Sequence, residues 1–558
     1  MAKGKNAMAV VLRRGMSIGA MAAEDDLKFL SDCFIETGQA AQLVDINSPR
    51  CIALGRTGSG KSALLIHIEQ SERNYANVDP EDLSLRYISN SDILRFFEEI
   101  DVNLDVFYQL LWRHILVVEL LKLKKEFHDK DSATRWFAGI YNSFDKNPKR
   151  QAALAYLTEF NGSFWLDTEK RIRQVVDRIE ESLQQSLGMD AQTLRSRVAA
   201  MATSGKKKEK EETSEIINRA QKVVSEVQIQ ELNELMKFLS EDIFKDRMNK
   251  YYLLIDDLDR GWVHDALRFK LIRALIETIR KFRRVSNVKI IISLRADLFH
   301  MVMNKTEGKG FQSEKFDDLM LRIKWSKSDL KNLLEARINE VFKDQYTGRS
   351  LKFEDIFTSN IGDTDPLSYM LDRSLYRPRD ILSFVNQCFE DAEVGASSIS
   401  ARVLRKAETE YSNKRLLAIA DEWREAYGDL EYVIESLGNL EPRFSYHDLS
   451  DQFFEDFCLQ VLAGDHTFSG RFAMVCNGIT QNSTPHYHQI RKMYVETLYI
   501  IGAIGVKRSS GSKFEWSFKN EPVLNPSILD QDTRFCVHPM LHRRLNMKAD
   551  GSTFNVSN

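Results

Sequence analysis

A glycine-rich loop after a short apolar run constrains the fold of this chain more than any other feature. The stretch CIALGRTGSGKSALL, Cys51 to Leu65, matches the phosphate-binding template G-x-x-x-x-G-K-[ST] at Gly55, Gly60, Lys61 and Ser62. An apolar strand pattern precedes the loop and a helical pattern follows it, which is the context that this template requires. The loop therefore predicts a strand, a phosphate-binding turn and a helix, with a triphosphate as the first candidate ligand.

The residue types in the loop suit a polyphosphate. Glycines let backbone N–H groups converge on phosphate oxygens, and the following helix adds its positive end. Lys61 can reach the β and γ phosphates, while the Ser62 hydroxyl can ligate Mg²⁺. We predict a site for ATP and Mg²⁺ whose loop residues are Gly55, Arg56, Thr57, Gly58, Ser59, Gly60, Lys61, Ser62 and Ala63.

Two adjacent carboxylates end a second apolar run, YYLLIDD. A nucleoside triphosphatase needs an acidic residue at the end of a neighbouring strand to hold the magnesium shell. We assign Asp256 to the metal's water and Asp257 to the attacking water, as general base. Adjacent aspartates after a strand are also common as turn or cap residues, so the assignment depends on the loop upstream.

Other polar residues follow the next predicted strand, NVKIIISLRADLF. Ser293 is predicted to sense the γ-phosphate and to join Lys61 and Asp257 as a catalytic residue, although an ordinary strand-end serine is the alternative. Arg295 and Arg260 are rivals for stabilising charge on the nucleotide, and either could instead form a structural ion pair.

The order of the predicted elements indicates an α/β domain with a parallel sheet. Continuous apolar runs of four to six residues suit strands that are covered on both faces. The expected strands lie within 50–54, 83–89, 250–262, 287–299 and 321–325. Residues 131–246 have a helical pattern with polar faces and a charged run, TSGKKKEKEETSE, and are predicted to form a helical insertion.

At 558 residues, three or four domains are expected if a domain takes about 150 residues. We predict a winged-helix-like C-terminal domain because the helix IRKMYVETLYIIGAIG precedes VKRSSGSKFEWSF, where two alternating runs flank a turn. The predicted divisions are a helical lead-in at 1–48, a nucleotide domain at 49–327, a helical lid at 328–424 and the winged-helix-like domain at 425–558.

Composition favours a cytoplasmic protein. The formal charge is -3, so any contact with nucleic acid must use a local patch, and the six cysteines lack CxxC spacing. The first residues carry no secretory pattern. The most apolar helical stretch, at 106–121, contains Arg113 and His114 and is shorter than the roughly 20 residues that span a bilayer. It is expected to be a buried helix, without a membrane role.

A third motif, LYRPRDILSFVNQC, has the pattern of a helix start. Pro378 fits an early helical turn and Asp380 favours the positive end of the helix. Arginines at 377 and 379 flank the proline, and one of them is expected to point toward the nucleotide.

The motifs GRTGSGKS, LLIDDLDR and RPRDILSFVN, in this order, resemble those of the KAP-type P-loop ATPases, relatives of the AAA+ and STAND groups. The resemblance spans about residues 20–410 and implies a sheet of order 5-1-4-3-2, a helical lid and an ATP-driven switch. It matches Lys61, Ser62, Asp256 and Asp257 to the family's loop and acidic motifs. It also matches Pro378 and Arg379 to the family's lid motif near adenine and phosphate.

The resemblance leaves the biological role open. KAP-type members often carry inserted transmembrane segments, whereas this insertion is polar, so membrane attachment is not carried over. We interpret the chain as an ATP-hydrolysing homo-oligomeric switch or motor, serving bacterial anti-phage defence as the sensor subunit beside a separate effector. The alternatives are a DNA-binding initiator or transposition ATPase, which would use the wing at Lys507 to Lys513, and a scaffold that binds ATP without hydrolysing it.

Overall fold

The computed structural model describes residues 10–81, 104–125, 236–305, 314–345, 349–463, 470–481, 486–520 and 529–547, apart from a few single positions. The predicted strand at 83–89 and almost all of the predicted insertion at 131–246 lie outside the described residues. The chain divides into two compact units. The first unit comprises Met1–Thr37, Arg56–Ala63 and Ile323–Asn558, and the second comprises Gly38–Gly55 and Leu64–Arg322.

Helices make up most of the described residues. Along the chain they are α1 (Leu27–Cys33), α2 (Gln39–Val44), α3 (Lys61–Ser71), α4 (Asp105–Lys125), α5 (Asp265–Phe282), α6 (Ala296–Lys305), α7 (Glu314–Asp317), α8 (Lys327–Val341), α9 (Phe353–Ile356), α10 (Pro366–Leu371), α11 (Pro378–Asp391), α12 (Ala401–Glu422), α13 (Arg424–Tyr427), α14 (Leu430–Glu435), α15 (Asp451–Ala463), α16 (Arg471–Thr480), α17 (His488–Ile501) and α18 (Ser517–Asn520).

The second unit is built on a parallel sheet, of which the described residues supply five strands. These are β1 (Ile52–Gly55), β2 (Tyr75–Asn77), β3 (Tyr251–Ile255), β4 (Val288–Arg295) and β5 (Met320–Arg322). Their order in the sheet is β2-β3-β4-β1-β5. Counted from the opposite edge this is 5-1-4-3-2, so the expected strand order is confirmed. The three central strands are almost wholly buried, as their continuous apolar runs predict.

The strand β2 was not anticipated from the sequence. Tyr75–Asn77 pairs in parallel with β3, while the strand expected at 83–89 stays a prediction. The sequence does not indicate this strand because it is an edge strand of only three residues and is half-exposed, and therefore has neither an apolar run nor an alternation to recognise.

Helix α4 contains the apolar stretch that the sequence assigns to the interior. Its Trp112 is fully buried, donates a hydrogen bond of 2.8 Å from Nε1 to the carbonyl of Leu271 on α5, and packs edge-on against Trp262. The prediction of a buried helix is confirmed. Across the described ranges, no helix combines the length and apolarity needed to cross a bilayer.

The N-terminal segment of the first unit is bound to the helices of the predicted lid. The Leu12 N–H donates to the carbonyl of Ala396, and the Ile18 N–H donates to Oδ1 of Asn386 on α11. A buried ion pair of 2.5 Å joins Asp26 to Arg337 of α8. These contacts, with a continuous apolar core, make the segment an integral part of the unit.

Helix α11 begins as the sequence predicts. Pro378 occupies its first turn, Arg377 is the residue before it, and Asp380 lies in the first turn. A fixed proline φ and a missing N–H are both tolerated at this position, and a carboxylate is favoured there by the helix dipole.

The C-terminal part of the first unit contains an antiparallel sheet. Its described strands are β6 (Arg443–Ser445), β7 (Ile504–Lys507) and β8 (Arg534–Val537), in the order β6-β8-β7. The predicted hairpin is wrong in one respect, because β7 takes β8 as its strand partner. The run after the turn contributes only the bridge between Val506 and Glu515. The next residue, Trp516, is buried against Gly505, and the chain then enters α18.

Candidate functional site

The glycine-rich loop adopts a conformation that depends on its glycines. Gly58 and Gly60 have φ of 77° and 95°, which side chains rarely adopt. Lys61 is buried, and its Nζ donates a hydrogen bond of 3.1 Å back to the carbonyl of Arg56. Helix α3 begins at Lys61, so Lys61 and Ser62 lie where backbone N–H groups lack helical partners.

Two hydroxyl groups in the loop are buried without a hydrogen-bond partner among the described residues. They are Oγ1 of Thr57 and Oγ of Ser59, and Ser59 is only 4% exposed. Buried hydroxyls are nearly always paired in folded proteins. A polyphosphate supplies acceptor oxygens for such donors, so the loop residues fit the predicted ligand. Gly55, which ends β1, and Ala63, in the first turn of α3, complete the predicted set.

The start of α11 lies directly on this loop. The backbone N–H of Arg379 donates a hydrogen bond of 3.2 Å to the carbonyl of Gly58. A Cβ added to Gly58 would lie 2.5 Å from the Cβ of Arg379, so no larger residue fits at position 58. The Nε of Arg379 donates to the carbonyl of Met21, which fixes its guanidinium beside the loop. Pro378 and Arg379, predicted as lid residues, are thus brought to the glycine-rich loop.

Arg377 contacts the loop differently, through a buried ion-pair network. Its guanidinium pairs with Asp380 at 2.8 Å and with Glu422 at 2.8 Å, and donates to the carbonyl of Thr57 at 2.6 Å. Burial lowers the pKa of Arg377, but the two carboxylates outweigh burial and raise it. Two carboxylates therefore already neutralise this arginine.

Asp380 is the centre of the same network. It is fully buried and accepts hydrogen bonds from the Leu375 N–H, from Arg377 and from Arg415 of α12. Burial alone would raise the pKa of Asp380, yet the two guanidinium groups lower it to about 2. Asp380 is therefore ionised at neutral pH and fixes the start of α11.

We expect the two arginines around Pro378 to respond differently to replacement. Arg379→Ala should weaken ATP binding by about 10- to 100-fold, since a charge-assisted hydrogen bond contributes about 1.5–3 kcal/mol. Arg377→Ala should mainly lower the free energy of unfolding, because it leaves Asp380 and Glu422 with one cation fewer. Titration with a fluorescent ATP analogue, together with thermal denaturation, separates the two effects. Unchanged affinity in Arg379→Ala would show that this arginine does not contact the nucleotide.

The carboxylates of the acidic motif lie at one edge of the sheet in the second unit. Ile255 of β3 is in register with Ile292 of β4, so Asp256 follows at the level of Ser293. The carboxyl ends of parallel strands meet at the same edge. Asp256 and Asp257 are both half-buried, and the Asp257 N–H donates to Oδ1 of Asp256, which orients that carboxylate. Asp257 has a φ of 56°, in the left-handed region.

Ser293 lies two residues before the end of β4 and is buried. It is in register with Ala53 of β1, and Arg295 is in register with Gly55, the first residue of the glycine-rich loop. The sheet thus brings Ser293 and Arg295 to the edge at which β1 ends.

Both arginines considered for charge stabilisation are engaged with carboxylates of the same unit. Arg295 pairs with Asp259 and Asp297, each at 2.7 Å. Half-exposed Arg260 pairs with Asp257 at 2.9 Å. This geometry matches the ion-pair alternative left open by the sequence, and an arginine bound in this way must exchange partners before it can contact a phosphate.

Comparison with known proteins gives two similarities. Residues 328–420 match the family described as FunZ-associated C-terminal helical domain, over a segment that begins at the first residue of the predicted lid. The chain is also similar to the "Putative transposon gamma-delta 80.3 kDa protein" of Escherichia coli (strain K12). The two are 21% identical over 537 residues, which cover 95% of this chain and 67% of that protein.

Several residues that contact the loop or Arg379 were not found from the sequence. Glu422 ends α12, Met21 lies in the N-terminal segment, and Trp325 donates a hydrogen bond of 2.8 Å from Nε1 to the carbonyl of Ser59. They are far from the loop along the chain and belong to no motif, so no sequence pattern could have identified them. The partners of Arg295 had a weak signal, the RAD spacing at 295–297.

Proposed function

We propose that the chain binds ATP with Mg²⁺ at the glycine-rich loop and hydrolyses it, acting as a nucleotide-dependent switch. The observation that carries the proposal is the conformation of the loop. Gly58 and Gly60 have positive φ, Lys61 folds back over the loop, and the buried hydroxyls of Thr57 and Ser59 have no partner among the described residues. These features together suit a polyphosphate better than any neutral ligand.

The first unit supplies the proposed binding residues. Lys61 would exchange its bond to the carbonyl of Arg56 for phosphate oxygens. The N–H groups at the start of α3 would point at the same oxygens. Arg379 would donate to phosphate from its fixed position beside Gly58.

The carboxylates after β3 are assigned to hydrolysis on the strength of the motif. Mg²⁺, when bound, would neutralise charge that develops on the phosphates, with Ser62 and Asp256 as its protein groups. Asp257 would accept a proton from the attacking water, and Ser293 would respond to the γ-phosphate. Asp257 is paired with Arg260, so this half-exposed ion pair would have to break before the carboxylate acts as a base. Exposed pairs contribute only about 0–1 kcal/mol, so the exchange has a low cost.

The loop lysine provides the direct test of nucleotide binding. Lys61→Ala should weaken binding of Mg²⁺-ATP by at least about 10-fold and as much as about 100-fold, because it removes a charge-assisted hydrogen bond. The affinity is measured by isothermal titration calorimetry on the full chain. Lys324→Ala, which removes a lysine outside the loop, is the control and should bind like the parent. Equal affinity in Lys61→Ala and the parent would refute the proposed site.

A switch should change its assembly with nucleotide state. The particle mass of the full chain is measured in the presence of ATP, in the presence of ADP and in the absence of nucleotide, and the three values are compared. A mass that depends on nucleotide supports the homo-oligomeric switch, whereas one constant mass argues against it. The role beside a separate effector in anti-phage defence follows from the KAP-type resemblance alone and stays a prediction.

A second candidate function is a transposition-related ATPase that contacts DNA. It is favoured by the similarity over 95% of the chain to a protein whose name refers to transposon gamma-delta. Helix α17 is poorly suited to reading bases, because its residues from Ile490 to Ile501 are mostly buried. The wing offers Lys507, Arg508 and Lys513, of which Arg508 is paired with Glu515 at 3.1 Å. Binding to duplex DNA that weakens steeply with salt would support this function.

A further inference from the structure

A single carboxylate connects the glycine-rich loop to the start of α11. Glu422, the last residue of α12, is 5% exposed. Its Oε1 accepts from Nε of Arg56 and from the backbone N–H of Thr57, both at 3.3 Å. Its Oε2 accepts from Arg377 at 2.8 Å. One side chain therefore fixes two consecutive loop residues and the arginine that precedes α11.

Arg56 extends this connection to a second helix. Its Nη2 donates a hydrogen bond of 2.6 Å to the carbonyl of Ile501, at the end of α17, and its guanidinium lies 5.7 Å from the ring of Trp423. The next residue, Gly502, makes room for it, since an added Cβ would lie 2.9 Å from the guanidinium. A cation is favoured at a helix C-terminus, where carbonyl groups lack partners. Arg56 of the loop is thus bound to the ends of α12 and α17.

The arrangement is sensitive to removal of either charge. Arg56 and Glu422 are largely removed from water, and a buried ion that loses its partner is strongly destabilised. The loop can converge its N–H groups on phosphate only in one backbone conformation, and Thr57 lies immediately before Gly58, whose φ is positive. A displaced Arg56 would therefore shift the loop.

We propose that Glu422 is a positioning residue for the phosphate-binding loop, acting through Arg56 and Thr57 to hold the loop in the conformation that binds ATP. This inference rests on the proposed function, because it concerns the same site. It adds a residue that lies outside the three sequence motifs.

A matched control lies on the same helix. Glu408 of α12 is also buried, and it pairs with Arg373 and Arg543 and accepts a hydrogen bond from Tyr369. None of these partners belongs to the loop. Glu408→Gln therefore reproduces the loss of a buried charge on α12 without altering the contacts of the loop.

The test measures the affinity of the full chain for Mg²⁺-ATPγS, together with the melting temperature of each variant. Glu422→Gln should weaken ATPγS binding at least tenfold, whereas Glu408→Gln should change it less than twofold at a similar loss of melting temperature. Arg56→Gln should weaken binding at least fivefold. The variant that carries both Arg56→Gln and Glu422→Gln should bind ATPγS about as tightly as the single variant with the lower affinity, because the two residues act through one contact.

The outcomes separate the inference from the function on which it rests. If the parent binds ATPγS and Glu422→Gln binds equally well, Glu422 has only a structural role and the inference is overturned. The inference is overturned as well if Glu422→Gln and Glu408→Gln lose the same amount of affinity for ATPγS. If Glu422→Gln fails to fold, Arg56→Gln decides, since Arg377 still neutralises Glu422 in that variant, and unchanged affinity there refutes the inference. A parent that binds no ATPγS overturns the proposed function and the inference with it.

Discussion

Asp257→Asn is expected to retain ATP binding and to slow hydrolysis by about 10²- to 10⁴-fold, the range typical of a general base. An amide cannot accept the proton of the attacking water at neutral pH. Asparagine is the appropriate replacement because residue 257 has a φ of 56°, and asparagine tolerates the left-handed region better than other non-glycine residues. Phosphate release under single-turnover conditions measures the effect.

The control for this experiment lies two residues further along the chain. Asp259 also carries a carboxylate, but it pairs with Arg295 and has no proposed catalytic role. Asp259→Asn should therefore reduce hydrolysis far less than Asp257→Asn. Equal rates in Asp257→Asn and the parent would place the catalytic base elsewhere. A parent that binds ATP and leaves it intact over long incubation would instead favour the scaffold alternative.

Asp380→Asn is expected to destabilise the first unit by about 3–5 kcal/mol, because it leaves Arg377 and Arg415 buried with too little compensating charge. A chain with two units need not unfold in one step, so a local measurement is needed beside the melting temperature. Hydrogen exchange of the α11 amides reports the local effect. The control is Asp391→Asn on the same helix, which removes a pair with exposed Lys406 and should have little effect.

The same network predicts an acid sensitivity. The pKa of Asp380 is lowered to about 2 in the folded chain, from an ordinary value near 3.8. A carboxyl whose folded pKa is lowered stabilises the fold above its unfolded pKa, and this contribution is lost as the pH falls from about 4 to about 2. The linkage corresponds to about 2 kcal/mol. Exchange in α11 should accelerate over this window in the parent, and Asp380→Asn should lack that component. An identical pH dependence in both would contradict the assigned role.

The sequence predicts those parts of the fold that local patterns encode. The apolar runs of β1, β3 and β4, the helix start at Pro378 and the buried helix α4 each have a local physical signature, and the structure contains all of them. The strand β2 lacks such a signature, because it is short and half-exposed. The predicted hairpin is reduced to the bridge between Val506 and Glu515, after which Trp516 is buried, and burial depends on residues distant in sequence.

For the candidate site, motifs predict which residue types occur but not their partners. Of the two arginines around Pro378, the resemblance favours Arg379 over Arg377 for contact with the nucleotide. The structure shows that Arg377 is already bound by two carboxylates, while Arg379 lies beside Gly58. Glu422, which decides the environment of Arg377, is 45 residues away along the chain. Such long-range ion pairs leave no trace in a single sequence.

The hydrogen bond between Trp325 and the carbonyl of Ser59 gives the protein an intrinsic optical probe. The indole ring also lies within 3.5 Å of where a Cβ on Gly60 would be, so it covers the glycine-rich loop. Indole emission depends on hydrogen bonding and on the polarity around the ring, and a change in the loop alters both. The chain has seven tryptophans, so the difference between the parent and Trp325→Phe isolates this signal. Rearrangement of the loop can therefore be followed in real time without an attached dye.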